Sequence, residues 1–308
     1  MEYVIGAVIG GAVVAFLGVV ILIGRAGSLG VVLGEPLTYA FEDPQAARFL
    51  AGVAGVCATE RVGLTLVPIT GAADDVERVA EAAVDGFVVW TRADDDPVVD
   101  AVAATGLSAV VHAGPGRRGL AVVGIDDRAA ARAIGAEAFA DARRPAVLSF
   151  PLDRARRGAT IQGPDPAAAT FPVTRRRLEG LRDAVVATGG EWGRVPVLVC
   201  SRNSAAEGEA AVGELLGRPD APDAIAAMSD ELALGALRAA AHRGASVPEG
   251  LAVTGWDDTE AAAPAGLTTV AQSLHDQGAR CARLALTGEA IRVHEAGWRI
   301  VRRASTRG

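Results

Sequence analysis

From Ala224 to Asp258 the chain reads AIAAMSDELALGALRAAAHRGASVPEGLAVTGWDD. Two short apolar runs, Ala224–Met228 and Leu251–Trp256, bracket a longer amphipathic stretch, Glu231–His242. Short apolar runs bounded by turn residues are buried strands, and the amphipathic stretch between them is a helix. A helical connection returns the second strand parallel to the first, so the segment is one β-α-β unit of a parallel sheet.

The same alternation extends upstream. Strands are expected at Ala146–Phe150 and Val195–Cys200, with helices at Arg128–Ala142, Arg175–Thr188 and Ala205–Leu216. A separate series nearer the start has strands at Leu29–Leu33, Leu64–Ile69, Gly86–Trp90 and Ser108–Ala113. Its helices, Pro44–Glu60, Asp74–Val84 and Pro97–Thr105, each open near Asp or Pro, as helix N-termini favour. The expected fold class is α/β, with two doubly wound parallel-sheet lobes in series. Between Arg154 and Thr174, Arg, Pro and Gly replace any apolar period, so a long mobile surface loop is expected there. Open parallel sheets bind ligands beyond the carboxyl ends of their strands. Trp90, His112, Asp126, Ser229 and Asp257 occupy such places.

Composition narrows the function classes. The 308 residues are half apolar and 22% charged, which suits large cores and excludes a disordered chain. A net charge of -7 argues against a surface built for a polyanion. All 30 basic residues are arginine, so neither a P-loop lysine nor Schiff-base chemistry is available. Cys57, Cys200 and Cys281 lie far apart without metal-ligand spacing, and read as buried small hydrophobes in a reduced compartment. Gly114–Gly119 matches G-x-G-x-x-G, but Leu120–Ile125 after it reads as a strand, not the helix a dinucleotide needs, so a loop is expected. Asp94-Asp95-Asp96 precedes Pro97 and reads as a helix cap rather than a metal site. His112, His242, His275 and His294 lack metal-ligand spacing, and no G-x-S-x-G or H-E-x-x-H occurs. No cofactor and no catalysis are expected; His112 alone is a loose candidate for an enzyme's perturbed group.

The quoted segment, with Gly124-Ile125-Asp126-Asp127, Arg177-Leu178-x-Gly180, Leu267-Thr268-Thr269-Val270-x-Gln272 and Val301-Arg302-Arg303-x-Ser305-Thr306, closely resembles the effector domain of the LacI/GalR family of transcriptional regulators. These motifs recur in the family's order over nearly all of Leu29–Arg307. The resemblance implies a periplasmic-binding-protein-like fold of type I, with a sugar, nucleoside or related metabolite held between the lobes. It places crossings near Ile125–Asp127, Thr269–Ser273 and Ala296–Trp298, hence a first lobe of 29–125 and 273–296 and a second of 126–272 and 297–308. It also implies that Asp257 accepts ligand hydroxyls and that Arg177 grips the ligand. Ser229, Asn203 and Gln272 fall on polar cleft positions, Tyr39, Phe41 and Asp43 on the facing first-lobe loop, and Trp256 offers an apolar face. His112 and Ala113 stand where many members carry an aspartate. Other readings of these residues are that Asp257 or Asp258 caps a turn, and that Arg177 pairs with Glu179 or Asp183 on a solvated face.

At the front, an uncharged run from Tyr3 to Gly24 replaces the family's helix-turn-helix headpiece. As a helix it would span roughly 33 Å, enough for a membrane anchor through residues 4–23, although a buried β-rich segment fits as well. Arg25 after the run places the large domain on the cytoplasmic side. Arg25, Arg299, Arg302, Arg303 and Arg307 are too scattered to read DNA, so DNA is a partner only if a headpiece is supplied elsewhere. Two functions are expected to compete: a homodimeric small-molecule sensor for transcription, and a membrane-tethered solute-binding protein for uptake or chemosensing.

Overall fold

The computed structural model describes residues 26–34, 43–289 and 293–307. Its first sheet contains β1 (Ser28–Val32), β2 (Gly63–Val67), β3 (Gly86–Trp90), β4 (Ser108–His112), β5 (Ala121–Gly124) and β12 (Val293–Glu295). All pair in parallel, in the order β12-β5-β4-β3-β1-β2. The second contains β6 (Pro145–Ser149), β7 (Ala159–Gln162), β8 (Pro196–Val199), β9 (Ala224–Ala227), β10 (Ala252–Asp257), β11 (Thr268–Ala271) and β13 (Arg299–Val301). Its order is β13-β11-β10-β9-β6-β8-β7, with only the two edge strands antiparallel. Within each sheet the order 2-1-3-4-5 of a doubly wound fold recurs, as β2-β1-β3-β4-β5 and as β8-β6-β9-β10-β11.

Eight α-helices occur among the described residues: α1 (Pro44–Glu60), α2 (Asp75–Ala80), α3 (Pro97–Ala104), α4 (Asp127–Phe139), α5 (Pro172–Ala187), α6 (Ala205–Leu215), α7 (Asp230–Arg243) and α8 (Leu274–Thr287). They cover both faces of each sheet, which explains why the central strands are apolar without alternation: Phe87, Val88 and Val89 of β3 are all fully buried. Each such side chain contributes about 1.5–3 kcal/mol of burial. The chain passes from the first sheet to the second between β5 and α4, returns between β11 and α8, and crosses again between β12 and β13.

Three helix pairs meet through glycine. A Cβ on Gly52 of α1 would lie 1.9 Å from the carbonyl oxygen of His275 in α8, and one on Gly278 would lie 2.2 Å from that of Phe49. Gly208 and Gly235 play the same reciprocal part between α6 and α7, as do Gly135 and Gly180 between α4 and α5.

Two expectations need correction. The segment from Arg154 to Thr174 is not a long loop: it forms β7, a short 3-10 turn at Pro166–Ala168, and the start of α5 at Pro172. Ile161 pairs with Val197 in the sheet, and Trp192 donates its ring N–H to the Pro164 carbonyl at 2.9 Å. A short edge strand exposed on both sides carries no apolar period, which is why pattern reading passes over it. The helix expected at Asp74–Val84 spans only Asp75–Ala80, after which the chain turns toward β3; at its start Asp75 accepts from the N–H groups of Thr70 and Gly71. The apolar run through residues 4–23 lies outside the described residues. Among those described, no helix is long and apolar enough to cross a membrane.

Candidate functional site

A cavity of about 120 Å³ lies between the carboxyl ends of the two sheets. From the first lobe come Trp90 at the end of β3 and Thr91 after it, His112 and Ala113 at β4, Asp43 and Gln45 at the start of α1, and Gln277 of α8. From the second come Phe150 after β6, Asp257 at the end of β10, Asn203 before α6, and Thr174 and Arg177 of α5. Gln272 lines it from the connection between β11 and α8.

Backbone strain is concentrated here. Six non-glycine residues among those described have positive φ, and four of them line the cavity: Thr91 (32°), Ala113 (48°), Arg156 (51°) and Asp257 (112°). Such conformations cost about 1–3 kcal/mol each and persist where surrounding structure enforces them, typically at binding and catalytic sites.

Arg177 is buried, and much of its guanidinium is committed within the protein. Its Nε donates to Asp127 at 2.8 Å, Nη1 donates to the Met228 carbonyl at 2.6 Å, and the group stacks 3.8 Å from the centre of a Trp256 ring. The alternative partners, Asp183 and Glu179, are taken instead by Arg128. Asp257 accepts from Gln272 Nε2 at 2.8 Å. Burial pushes its carboxyl well above the ordinary carboxylate range; Asp230 and Asp43 add to the rise, while Arg177 and the Gln272 bond oppose it. Asp258 does not share this role, because it pairs with Arg303 at 2.6 Å. Burial likewise raises Asp43, against hydrogen bonds from the Gln45 and Ala46 backbone and from Asn203.

Of the ten residues selected from sequence, the structure brings Asp43, His112, Arg177, Asn203, Asp257 and Gln272 together around the cavity. Ser229 and Trp256 stand behind the wall: Ser229 caps α7 through the Leu232 N–H and donates to Asn203 Oδ1, and Trp256 lies beneath Arg177. Tyr39 and Phe41 lie outside the described residues. Asp126, another strand-end candidate, is spent on the α4 N-cap. Pattern reading misses Gln45 and Gln277, yet Gln277 stands out as a polar residue within the buried stripe Leu274, Gly278, Cys281 and Ala285 of α8.

The rim of the cavity is fastened across the lobes. Asp94 donates its backbone N–H to the Thr170 carbonyl at 2.8 Å and pairs with Arg175 at 2.5 Å. Arg154 reaches Asp96 at 3.9 Å, and on another part of the rim Arg48 pairs with Glu260 at 2.6 Å. Asp96 also caps α3 through the Val98 N–H, so the acidic run both starts a helix and joins the lobes. The Asp94–Arg175 and Arg48–Glu260 pairs are partly exposed, and each is worth at most about 1 kcal/mol, whereas Asp96 is buried and pairs closely with Arg92 of its own lobe. In the Asp94→Ala, Arg175→Ala double variant, small-angle scattering is expected to give a larger radius of gyration, with global unfolding free energy changed by less than about 1 kcal/mol. An unchanged radius would show that these groups do not hold the lobes together.

A family model for a periplasmic binding protein-like domain matches residues 155–306. The HTH-type transcriptional regulator Rv3575c of Mycobacterium tuberculosis is 36% identical over 85% of this chain and 74% of its own length. IpsA of Corynebacterium glutamicum, another HTH-type transcriptional regulator, is 37% identical over 80% of this chain and 71% of its length. Among solved structures, a LacI-family transcriptional regulator from Corynebacterium glutamicum superposes with a TM-score of 0.84 at 31% identity, over 94% of this chain and 89% of that one. The transcriptional regulator CelR in complex with cellobiose gives 0.72 at 25% identity, over 91% and 85%. These relatives are transcriptional regulators, not enzymes, and the chain belongs to the LacI family of transcriptional regulators.

Proposed function

We propose that this chain senses a sugar or closely related small metabolite in the cavity between its lobes and signals by rearranging the lobes within a homodimer. The observation that carries the reading is the cavity itself, walled by polar side chains from both sheets and ringed by four strained residues. The cellobiose held by CelR supports a sugar as the ligand class. Asp257 is the hydroxyl acceptor in this reading, because its carboxyl oxygens accept O–H groups and it lines the cavity at the end of β10. Arg177 serves chiefly to hold Asp127 and Trp256 in place beside it.

Ligand binding shifts a two-state protein only by its differential affinity for the two states, and a cavity whose walls belong to two bodies has that property. DNA contact belongs, in this proposal, to a helix-turn-helix module of the kind that the relatives' names specify. Within the lobes, Arg302 is paired with Glu137 and Arg303 with Asp258. A thermal-shift screen of the protein against sugars, cellobiose included, tests the reading. Ligand at 100 times its Kd adds about 2.7 kcal/mol to apparent stability. The shift is expected to vanish in Asp257→Ala. No shift with any sugar, or a shift that survives the substitution, would place the ligand elsewhere.

A further inference from the structure

Two buried polar atoms on the cavity wall have no hydrogen-bond partner among the described residues: Gln45 Nε2 and His112 Nδ1. Both side chains are more than nine-tenths buried, at 6% and 4% exposure. An unmet buried donor or acceptor costs about 1–3 kcal/mol, so such atoms mark places where something else supplies the bond.

The bonding around His112 determines which of the two ring nitrogens carries the proton. His112 Nε2 lies 2.9 Å from Gln277 Oε1, Gln277 Nε2 donates to Gln272 Oε1 at 3.0 Å, and Gln272 Nε2 donates to Asp257 Oδ1 at 2.8 Å. An amide oxygen only accepts, so His112 Nε2 must carry a hydrogen. The run of three bonds has one direction, from the ring of the first lobe to the carboxylate of the second. With Asp257 ionised, reversing Gln272 would set its oxygen against the carboxylate, and reversing Gln277 alone would set its oxygen against Gln272 Oε1. Burial, with the charge of Arg177 adding and the Gln277 bond opposing, pushes the His112 pKa down to about 4. The ring is therefore neutral at physiological pH and its Nδ1 is a bare acceptor. Trp90 stacks on the ring at 4.9 Å and Phe49 closes on it at 4.8 Å, which fixes where that acceptor sits.

Building on the proposed sensing of a small polar ligand, we infer that His112 is a specificity-determining residue, accepting one ligand hydroxyl through Nδ1 while Gln45 Nε2 donates to another ligand oxygen. The ligand class follows: an uncharged polyhydroxylated molecule. A carboxylate or a fully ionised phosphate offers no proton to Nδ1 and cannot make this bond. A deoxy analogue would leave Nδ1 buried and unmet, the situation in which binding sites discriminate most sharply.

Two measurements test this. Nitrogen NMR of histidine-labelled protein should show His112 with a protonated Nε2 and a bare Nδ1 from neutral pH down to about pH 5, the lower bound following from the depressed pKa. A protonated Nδ1 would overturn the inference without any ligand being present. Calorimetry would then compare wild type and His112→Phe on D-glucose, D-galactose, D-mannose and D-xylose with their monodeoxy analogues. Wild type should prefer a parent sugar over one of its deoxy analogues by on the order of 30-fold, and the variant, which keeps the aromatic stack, by about threefold or less. Equal discrimination by both proteins overturns the role of His112 alone. Binding of none of these sugars overturns the proposed ligand class and the inference with it.

Discussion

Arg177→Ala is expected to destabilise the protein by about 3–5 kcal/mol, the range for removing one partner of a buried ion pair. Asp127 is 2% exposed, and its burial already raises its pKa against the opposing charge of Arg177. Without the guanidinium, the carboxylate is left desolvated and unpaired, the Met228 carbonyl loses a donor, and the face of Trp256 loses its cation. The loss has a definite pH dependence. In the variant, the folded-state pKa of Asp127 rises further above its unfolded value, so the carboxyl favours the folded state below the unfolded pKa, and that contribution disappears as pH rises through the folded one. The deficit is therefore largest at neutral pH and narrows on acidification. Urea unfolding at two pH values measures both features, and a loss below about 1 kcal/mol at neutral pH would mean that Arg177 does not neutralise Asp127. Arg177→Met combined with Asp127→Leu should recover most of the stability, because an apolar pair of similar volume leaves no unpaired charge.

Gly52→Ala is the second substitution with a large expected effect, about 3 kcal/mol of destabilisation, at the upper end of the usual range for overpacking. The new methyl would sit 1.9 Å from a backbone oxygen of α8, and a helix backbone cannot rotate away as a side chain could. The helices must separate, and the reciprocal contact at Gly278 opens with them. Gly55, in the same helix, is an internal control: its Cβ would meet nothing within 4 Å, so Gly55→Ala should stabilise by about 0.5–1 kcal/mol through helix propensity. Thermal melts of the two variants should move in opposite directions; movement together would mean that the α1–α8 seam has slack. The consequence reaches the cavity, since Asp43 and Gln45 open α1 and Gln277 belongs to α8.

The alternation of short apolar and longer amphipathic runs is legible because each strand and helix buries its own face locally. Asp43-Pro44 marks the first residue of α1, and Asp96-Pro97 that of α3. What is not legible depends on contacts made at a distance. β7 exists because β8 offers an open edge, not because of any apolar period of its own. Motif resemblance selects Arg177 and Asp257, but that Arg177 is already bonded to Asp127 and Met228 depends on helices and strands far apart in the chain. Gln45 and Gln277 look like ordinary helix residues until the fold closes over them. Asp94 and Asp96 read as local capping groups, and only the packed lobes show them reaching Arg175 and Arg154.

The rim pairs link the cavity to ionic strength. The side chains of Arg48 and Glu260 are 46% and 92% exposed, and those of Arg175 and Asp94 are 27% and 41%, so dissolved salt reaches both pairs. Counter-ions screen exposed charges within a Debye length of about 8 Å at physiological salt, whereas the enclosed pair of Arg177 and Asp127 is sheltered. In the proposed sensor, added salt is therefore expected to weaken the closure of the lobes while leaving the interior of each lobe intact. Because the affinity of a ligand scales with the fraction of molecules already in the binding-competent state, even an uncharged ligand acquires an apparent affinity that falls as the surrounding electrolyte is concentrated.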